Sequence, residues 1–319
     1  MVSPFRRLLL LQSFLHPRLY PQRKVPAYEG HWDKMIKVPS EGGKTVLRTN
    51  IFNSKAALRQ ISLRNVPYTD NSMGLAFYNC QNLYTVEGIN PNVTNMSYTF
   101  SDCKNLNQSI NLPASAETMT GTFENCTSFN STIQIPVGVT SVINLFANCT
   151  TYNQPIEFPD YVEAMHGAFL NCTSFNQPVN FPSLVTDLSF TFQGCSNFNQ
   201  PVNFPSNIIA FQNTFEGCSN FNQPVNFPNA VKQMPSCFKG CSNFNQTFSI
   251  PANVSSLDSV FDNCSSLNVS FNISNNITGL YNTFRNCITF NSPLNIQRGY
   301  RDWDNTFRDC LSLDQNINL

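Results

Sequence analysis

Residues 192–228 read FQGCSNFNQPVNFPSNIIAFQNTFEGCSNFNQPVNFP, and the twelve letters GCSNFNQPVNFP at 194–205 return unchanged at 217–228. The same shift extends far beyond this window. Cys80, Cys103, Cys126, Cys149, Cys172, Cys195, Cys218, Cys241, Cys264, Cys287 and Cys310 follow one another with an unbroken 23-residue spacing. A Phe stands three residues before every one of them, from Phe77 to Phe307, and a Leu, Phe or Tyr three residues after. A strict period in this range, with no insertion, is the signature of a solenoid, because one unit cannot bury its own apolar face and must stack on the next.

Inside a unit the apolar positions define a coil. After Cys195 the inward set is Phe198, Val202, Phe204, Ile208, Phe211 and Phe215. Val202, Asn203 and Phe204 alternate apolar, polar, apolar, which predicts a half-buried strand that Pro205 ends. A second short alternating segment is expected around Ile208 to Phe211, after which Phe-x-x-Cys turns the chain back. Strands stacked roughly 4.8 Å apart would make a rod or arc on the order of 50 Å long. The expected fold is a β-rich solenoid: a leucine-rich-repeat-like, right-handed stack of about eleven coils over residues 70–319. An irregular N-terminal cap over 29–69 and a basic arm over 1–28 precede it.

Composition agrees with a scaffold. Charged residues make up only 12% of the 319, while Asn supplies 44 and Phe 28. The hydrophobic content excludes classical disorder, and no apolar run approaches the ~18 residues of a membrane span.

The Phe-x-x-Cys-x-x-Leu/Phe unit resembles the leucine-rich repeats of BspA-like surface proteins. The run from Asn92 to Phe100, NVTNMSYTF, followed by Cys103 and LNQSI, resembles the variant found in mycoplasma-type surface lipoproteins. The phrase FNQPVNFP at Phe175, Phe198 and Phe221 is also similar to the FNIP repeats of amoebae and giant viruses, which lack the cysteine. The resemblance covers residues from about 70 to 319 and implies a recognition scaffold with no fixed ligand.

The cysteines read as buried structure. Cys237 and Cys241 form the only close pair, and His16, His31 and His166 show no ligand spacing to any cysteine, so no metal and no cofactor are expected. Neighbours about 4.8 Å apart in a column fit disulfide geometry poorly, so small, buried, reduced side chains are expected.

Charge divides the chain. Residues 1–64 carry 12 Lys+Arg and 3 acids, and residues 65–319 carry 7 and 16, giving a basic head on an acidic solenoid. The arm places Arg6 and Arg7 beside the apolar run Leu8, Leu9, Leu10 and Leu11, extended by Phe14 and Leu15. A secretory signal would need a longer apolar run and a small-residue cleavage site. Nucleic-acid binding would need a recognisable basic motif. A solvated tail fits the charge but leaves the apolar run unused. The arm is therefore expected to dock on other structural proteins of a larger assembly, without nucleic acid and without a membrane span.

No catalytic constellation is present: no Gly-rich phosphate loop, no H-E-x-x-H, no G-x-S-x-G. Asp302 and Asp304 flank Trp303, but a lone acidic pair reads as solvation. What the repeats display is amide. One outward row contains Asn180, Asn203 and Asn226; a second, three residues earlier, contains Gln177, Gln200 and Gln223. Such rows suit sugar hydroxyls or a polypeptide surface, and they equally suit bonding from coil to coil. The sequons at Asn125, Asn148 and Asn171 overlap the repeat and read as scaffold.

The expected function is non-enzymatic. With the basic arm and no recognisable signal or anchor, the first expectation is a virion-associated surface or fibre-type component of a phage or large virus, at the virion surface. It would be held by its arm and expose the solenoid to a host surface protein or glycan. The alternative is a secreted or cell-surface bacterial adhesin of the BspA-like type.

Overall fold

The structure is a computed structural model and describes residues 36–37, 52–64, 71–296 and 302–315. The expected docking residues Arg6 to Leu15, most of the cap and residues 316–319 lie outside it.

The described chain winds into coils that stack in sequence order, each in register with the equivalent positions of the coil before it. The Phe three residues before each cysteine forms a column of stacked rings from Phe77 to Phe307, with centroids 5.5–6.0 Å apart. Phe52 extends the column at 5.4 Å from Phe77, although no repeat cysteine follows it. A second column, Phe129, Tyr152, Phe175, Phe198, Phe221 and Phe244, advances 5.9–6.1 Å per step. Within a coil the two rings lie 4.0–4.5 Å apart from Phe123–Phe129 to Phe238–Phe244. These centroid steps exceed the expected strand spacing because the rings stack with an offset.

The segment that carries the first column is itself held by backbone. Met96, Tyr98, Phe100 and Asp102 donate their N–H groups to the carbonyls of Thr118, Thr120, Thr122 and Glu124 at 2.8–2.9 Å. Leu188, Phe190, Phe192 and Gly194 repeat the pattern onto Ala210, Gln212, Thr214 and Glu216. In a parallel β ladder the intervening donors would reach the other neighbour. Here Thr99, Ser101 and Cys103 donate within their own coil, to Met96, Tyr98 and Phe100. The cause is a left-handed residue at two positions of every unit, for example Tyr98 (φ 53°) with Asp102 (φ 62°), and Phe190 (φ 62°) with Gly194 (φ 74°). The segment is a ribbon of turns touching its neighbour at single parallel bridges such as Asn95↔Thr118. Just before the cysteine the left-handed position is filled by Asn, Asp or Gly, the residues that tolerate it. An added Cβ at Gly194 would also crowd the side chain of Asn171.

True strands are few. Among the described residues they are β1 (Ile36–Lys37), β2 (Gln60–Ser62), β3 (Thr85–Glu87), β4 (Phe271–Ile273) and β5 (Leu294–Ile296). The order is β1-β2-β3 in one parallel sheet and β4-β5 in another. β4 and β5 pair in the repeat register, Phe271↔Leu294, whereas the partners Ile36↔Ile61 and Ile61↔Val86 stand two positions further apart in sequence. The N-terminal coils are therefore two residues longer.

The strand expected at Val202, Asn203 and Phe204 is absent, and with it the β-rich character. Burial still alternates, buried, exposed, half-buried, but no backbone–backbone hydrogen bond involves these residues. Proline explains it. Pro113, Pro136, Pro159, Pro182, Pro205, Pro228 and Pro251 stand ten residues after their cysteines, and none of these units forms a strand. The units of β3, β4 and β5 carry Asn90, Ser274 and Gln297 there instead. Proline removes a donor and steers the preceding residue toward polyproline geometry, so Pro205 prevents the ladder it was expected only to end.

Candidate recognition site

The polar rows divide into those consumed by the stack and those left free. Asn153, Asn176, Asn199 and Asn222 each accept the backbone N–H of the equivalent Asn in the next coil, at 2.9 Å. The same carboxamide oxygens accept from Gln177, Gln200, Gln223 and Gln246 Nε2 at 3.1 Å. Half of the expected ligand face, the glutamine row, is thus tied to the preceding coil. The Asn row that organises it was not expected, although its 23-residue recurrence is visible in the sequence.

The second expected row stays open. Asn180, Asn203 and Asn226 are exposed, one per coil, above buried Val179, Val202 and Val225. Asn180 donates to Glu157 Oε2 at 3.5 Å, while Asn203 and Asn226 engage no side-chain hydrogen bond among the described residues. Exposed Pro178, Pro201 and Pro224 flank the row. Asn203 and Asn226 thus present uncommitted carboxamides beside backbone groups that have no partner in the ladder. They can donate and accept with equal ease, which suits neutral polar ligands.

Where Ser109 and Thr132 replace those flanking prolines, the face opens into a groove of about 600 Å³ between residues 109–112 and 132–137. Asn111 and Gln134 of the same outward row lie in its lining, and Val137 is 75% exposed at its edge.

The other singled-out residues are structural. From Cys103 onward, repeat cysteines donate their thiols to the carbonyl of the column Phe in the preceding coil, as Cys195 does to Phe169 and Cys218 to Phe192, both at 3.0 Å. Cys80 makes the same bond to Phe52, at 2.8 Å. All are free of disulfides, and all are buried except half-buried Cys310. Burial pushes these thiols up, Cys80 to about 12 and Cys310 to about 11. Asn125, Asn148 and Asn171 pass hydrogen bonds down a column, 2.8 Å from Asn148 to Asn125 and from Asn171 to Asn148. Asp302 accepts the N–H of Asp304 in a local turn, at 3.0 Å. No three His, Cys, Asp or Glu are gathered to hold a metal among the described residues. Among them, too, no helix is long and apolar enough to cross a membrane.

Comparisons with known proteins follow the repeat. Overlapping segments 71–180, 140–250, 164–272 and 250–319 match the family model described as Mycoplasma protein of unknown function, DUF285. No curated protein matches significantly. A leucine-rich repeat protein from Bacteroides ovatus superposes with a TM-score of 0.58 at 18% identity, over 88% of this chain and 73% of its own. A leucine rich cell surface protein from Faecalibacterium prausnitzii reaches 0.49 at 17% identity, over 83% and 88%. At such identities the likeness is one of fold, and the fold is a leucine-rich repeat solenoid.

Proposed function

This chain belongs to the repeat family described as Mycoplasma protein of unknown function, DUF285, and from that premise we propose that it is a non-enzymatic recognition scaffold at a bacterial cell surface or outside the cell. The family match and the fold likeness accord with the BspA-like resemblance and offer nothing in favour of a virion. The expectation of a virion component therefore gives way to its cell-surface alternative. On this reading the repeats form a right-handed stack of about eleven coils, one for each of the regularly spaced cysteines.

The observation that carries the reading is the division of labour among the amides. The Gln177, Gln200 and Gln223 row is bonded into the stack, whereas Asn203 and Asn226 are exposed and uncommitted. Asn180, Asn203 and Asn226 would supply paired donors and acceptors to a neutral glycan or a polypeptide. Their regular spacing lets several weak contacts add along one extended ligand.

Replacing all three with Ala leaves Val179, Val202 and Val225 in place, so circular dichroism and thermal melting should be nearly unchanged. Binding to an array of neutral glycans and to whole host cells should fall at least tenfold. Unchanged binding by a folded triple variant would mean that the row serves only the scaffold.

A further inference from the structure

The outward row of Asn180, Asn203 and Asn226 continues back through Glu157 and Gln134 to Asn111. An exposed proline stands beside it in every coil from Pro155 to Pro224. That ridge is missing where Ser109 and Thr132 stand, and there the face sinks into the groove of about 600 Å³. The two walls are neighbouring coils tied together, since Ser109 Oγ donates to the carbonyl of Thr132 at 3.0 Å. No sheet edge between them is free to take an added peptide strand. What the walls offer a ligand is side chain.

Asn111, Thr132 and Gln134 are exposed, and none of their side chains makes a hydrogen bond among the described residues. Each of them can donate and accept. Leu112, Ile135 and Val137 supply apolar surface to the same lining, which carries no charged residue. Free hydroxyl and amide groups beside aliphatic surface match a sugar ring, whose hydroxyls donate and accept and whose C–H faces are apolar. Beyond the groove the surface turns acidic. Glu157 takes the place of Gln134 in the next coil, and Asp160 takes that of Val137. Both are exposed, and neither forms an ion pair among the described residues. Such unpaired carboxylates accept hydroxyls but repel an anionic ligand. Tyr161, in the place of Gly138, is 65% exposed and stacks on no other ring among the described residues.

We propose that the groove is the anchoring subsite for a neutral glycan, enclosing one sugar while the rest of the chain follows the amide row. This assignment rests on the reading of the solenoid as a recognition scaffold and names the class of its ligand. Asn111, Thr132 and Gln134 take ring hydroxyls, Leu112 and Val137 take a C–H face, and Tyr161 offers an aromatic face to an adjoining sugar. The size fits, since small-ligand sites run to roughly 300–1,000 Å³. Glu157, between Gln134 and Asn180 in the row, excludes carboxylated or sulfated sugars while still accepting hydroxyls. Asn180, Asn203 and Asn226 lie on open surface and add weaker contacts along the chain. Only the groove encloses its sugar, so it sets the affinity.

The test uses the full chain with neutral hexasaccharides of glucose, xylose or mannose, and with hexagalacturonate as the anionic control, followed by saturation-transfer NMR and titration. At least one neutral hexamer should bind, and hexagalacturonate should not. Ser109→Pro combined with Thr132→Pro restores the ridge that the later coils already carry. That double variant should weaken binding at least tenfold with the melting temperature unchanged, and so should Val137→Asp at its exposed position. Binding of no neutral hexamer, equal binding of hexagalacturonate, or full affinity in both folded groove variants would overturn the proposal. So would a pool of uncharged decapeptides that binds the parent chain and is lost in Val137→Asp, because the groove would then be a peptide site. The Ala variant at Asn180, Asn203 and Asn226 separates this proposal from the reading it rests on. A hexamer that loses affinity only in that variant overturns the groove and leaves the amide row standing; loss only in the groove variants does the reverse.

Discussion

Tyr152 is the one tyrosine in a column otherwise filled by Leu and Phe, and its ring stacks 4.0 Å from Phe146. Its hydroxyl is buried without a hydrogen-bond partner. A buried, unsatisfied polar group costs about 1–3 kcal/mol, so Tyr152→Phe should raise stability by about that much in urea denaturation. A loss of stability would reveal an unseen partner for the hydroxyl. The repeat cysteines are small and buried, as expected, and their thiols in addition bond a carbonyl one coil away. Their ionisation is opposed by burial, so folded thiols stay neutral where unfolded ones, with an ordinary value of 9.0, ionise. The folded pKa is raised; the resulting stability is therefore complete below pH 9 and falls as pH climbs above it. Each thiol contributes about 1.4 kcal/mol per pH unit to that fall. Native alkylation should label Cys310 first, with a rate rising about tenfold per pH unit up to its value near 11. Early labelling of Cys172 or Cys195, or native disulfides among Cys103 to Cys287, would contradict this account.

At the scale of the element, proline decides whether an extended segment becomes a strand. Pro293 precedes β5 without preventing it, which leaves the later proline as the controlling position. Changing both Pro182 and Pro205 to Ser should allow residues 179–181 and 202–204 to pair as β4 and β5 do. Amide exchange at Asn203 and Phe204 should then slow at least tenfold; unchanged exchange would place the cause elsewhere. The repeat length, the inward residues and the two ring columns were legible in the sequence because each is a side-chain property that recurs with the 23-residue period. Backbone direction was not. Asn and Gly before the cysteine signal a turn, but nothing about Leu75, Tyr98 or Phe190 announces their positive φ, and in that conformation the intervening donors of the ribbon turn back onto their own coil. The exposed Asn row was legible from alternation. The glutamine row follows the second use open to it, bonding from coil to coil, and its acceptor, the Asn one residue earlier in the preceding coil, becomes a neighbour only after stacking. The groove had a faint sequence signal, Ser109 and Thr132 in place of proline.

For the whole molecule, what matters is that each coil touches only its neighbours. Stability is then a sum of intrinsic and nearest-neighbour contributions, and damage should stay local. Phe192 tests this well. Its buried ring lies 5.7 Å from both Phe169 and Phe215 and 4.2 Å from Phe198. Phe192→Ala removes its stacking at both junctions and should cost about 3–5 kcal/mol. The ladders from Gly167, Phe169 and Asn171 and from Phe190, Phe192 and Gly194 border the lost ring. Their amides should lose hydrogen-exchange protection. Those of Phe100 and Phe261, several coils away on either side, should keep theirs. The half-buried Phe307 provides the comparison: its ring stacks on Phe284 at 5.6 Å, and its truncation should cost less and perturb mainly the adjoining coil. Uniform loss of protection from Phe100 to Phe284 in the Phe192 variant would show that the stack unfolds as one unit. The amide row would then have to be treated as a single cooperative surface rather than as a set of independent rungs.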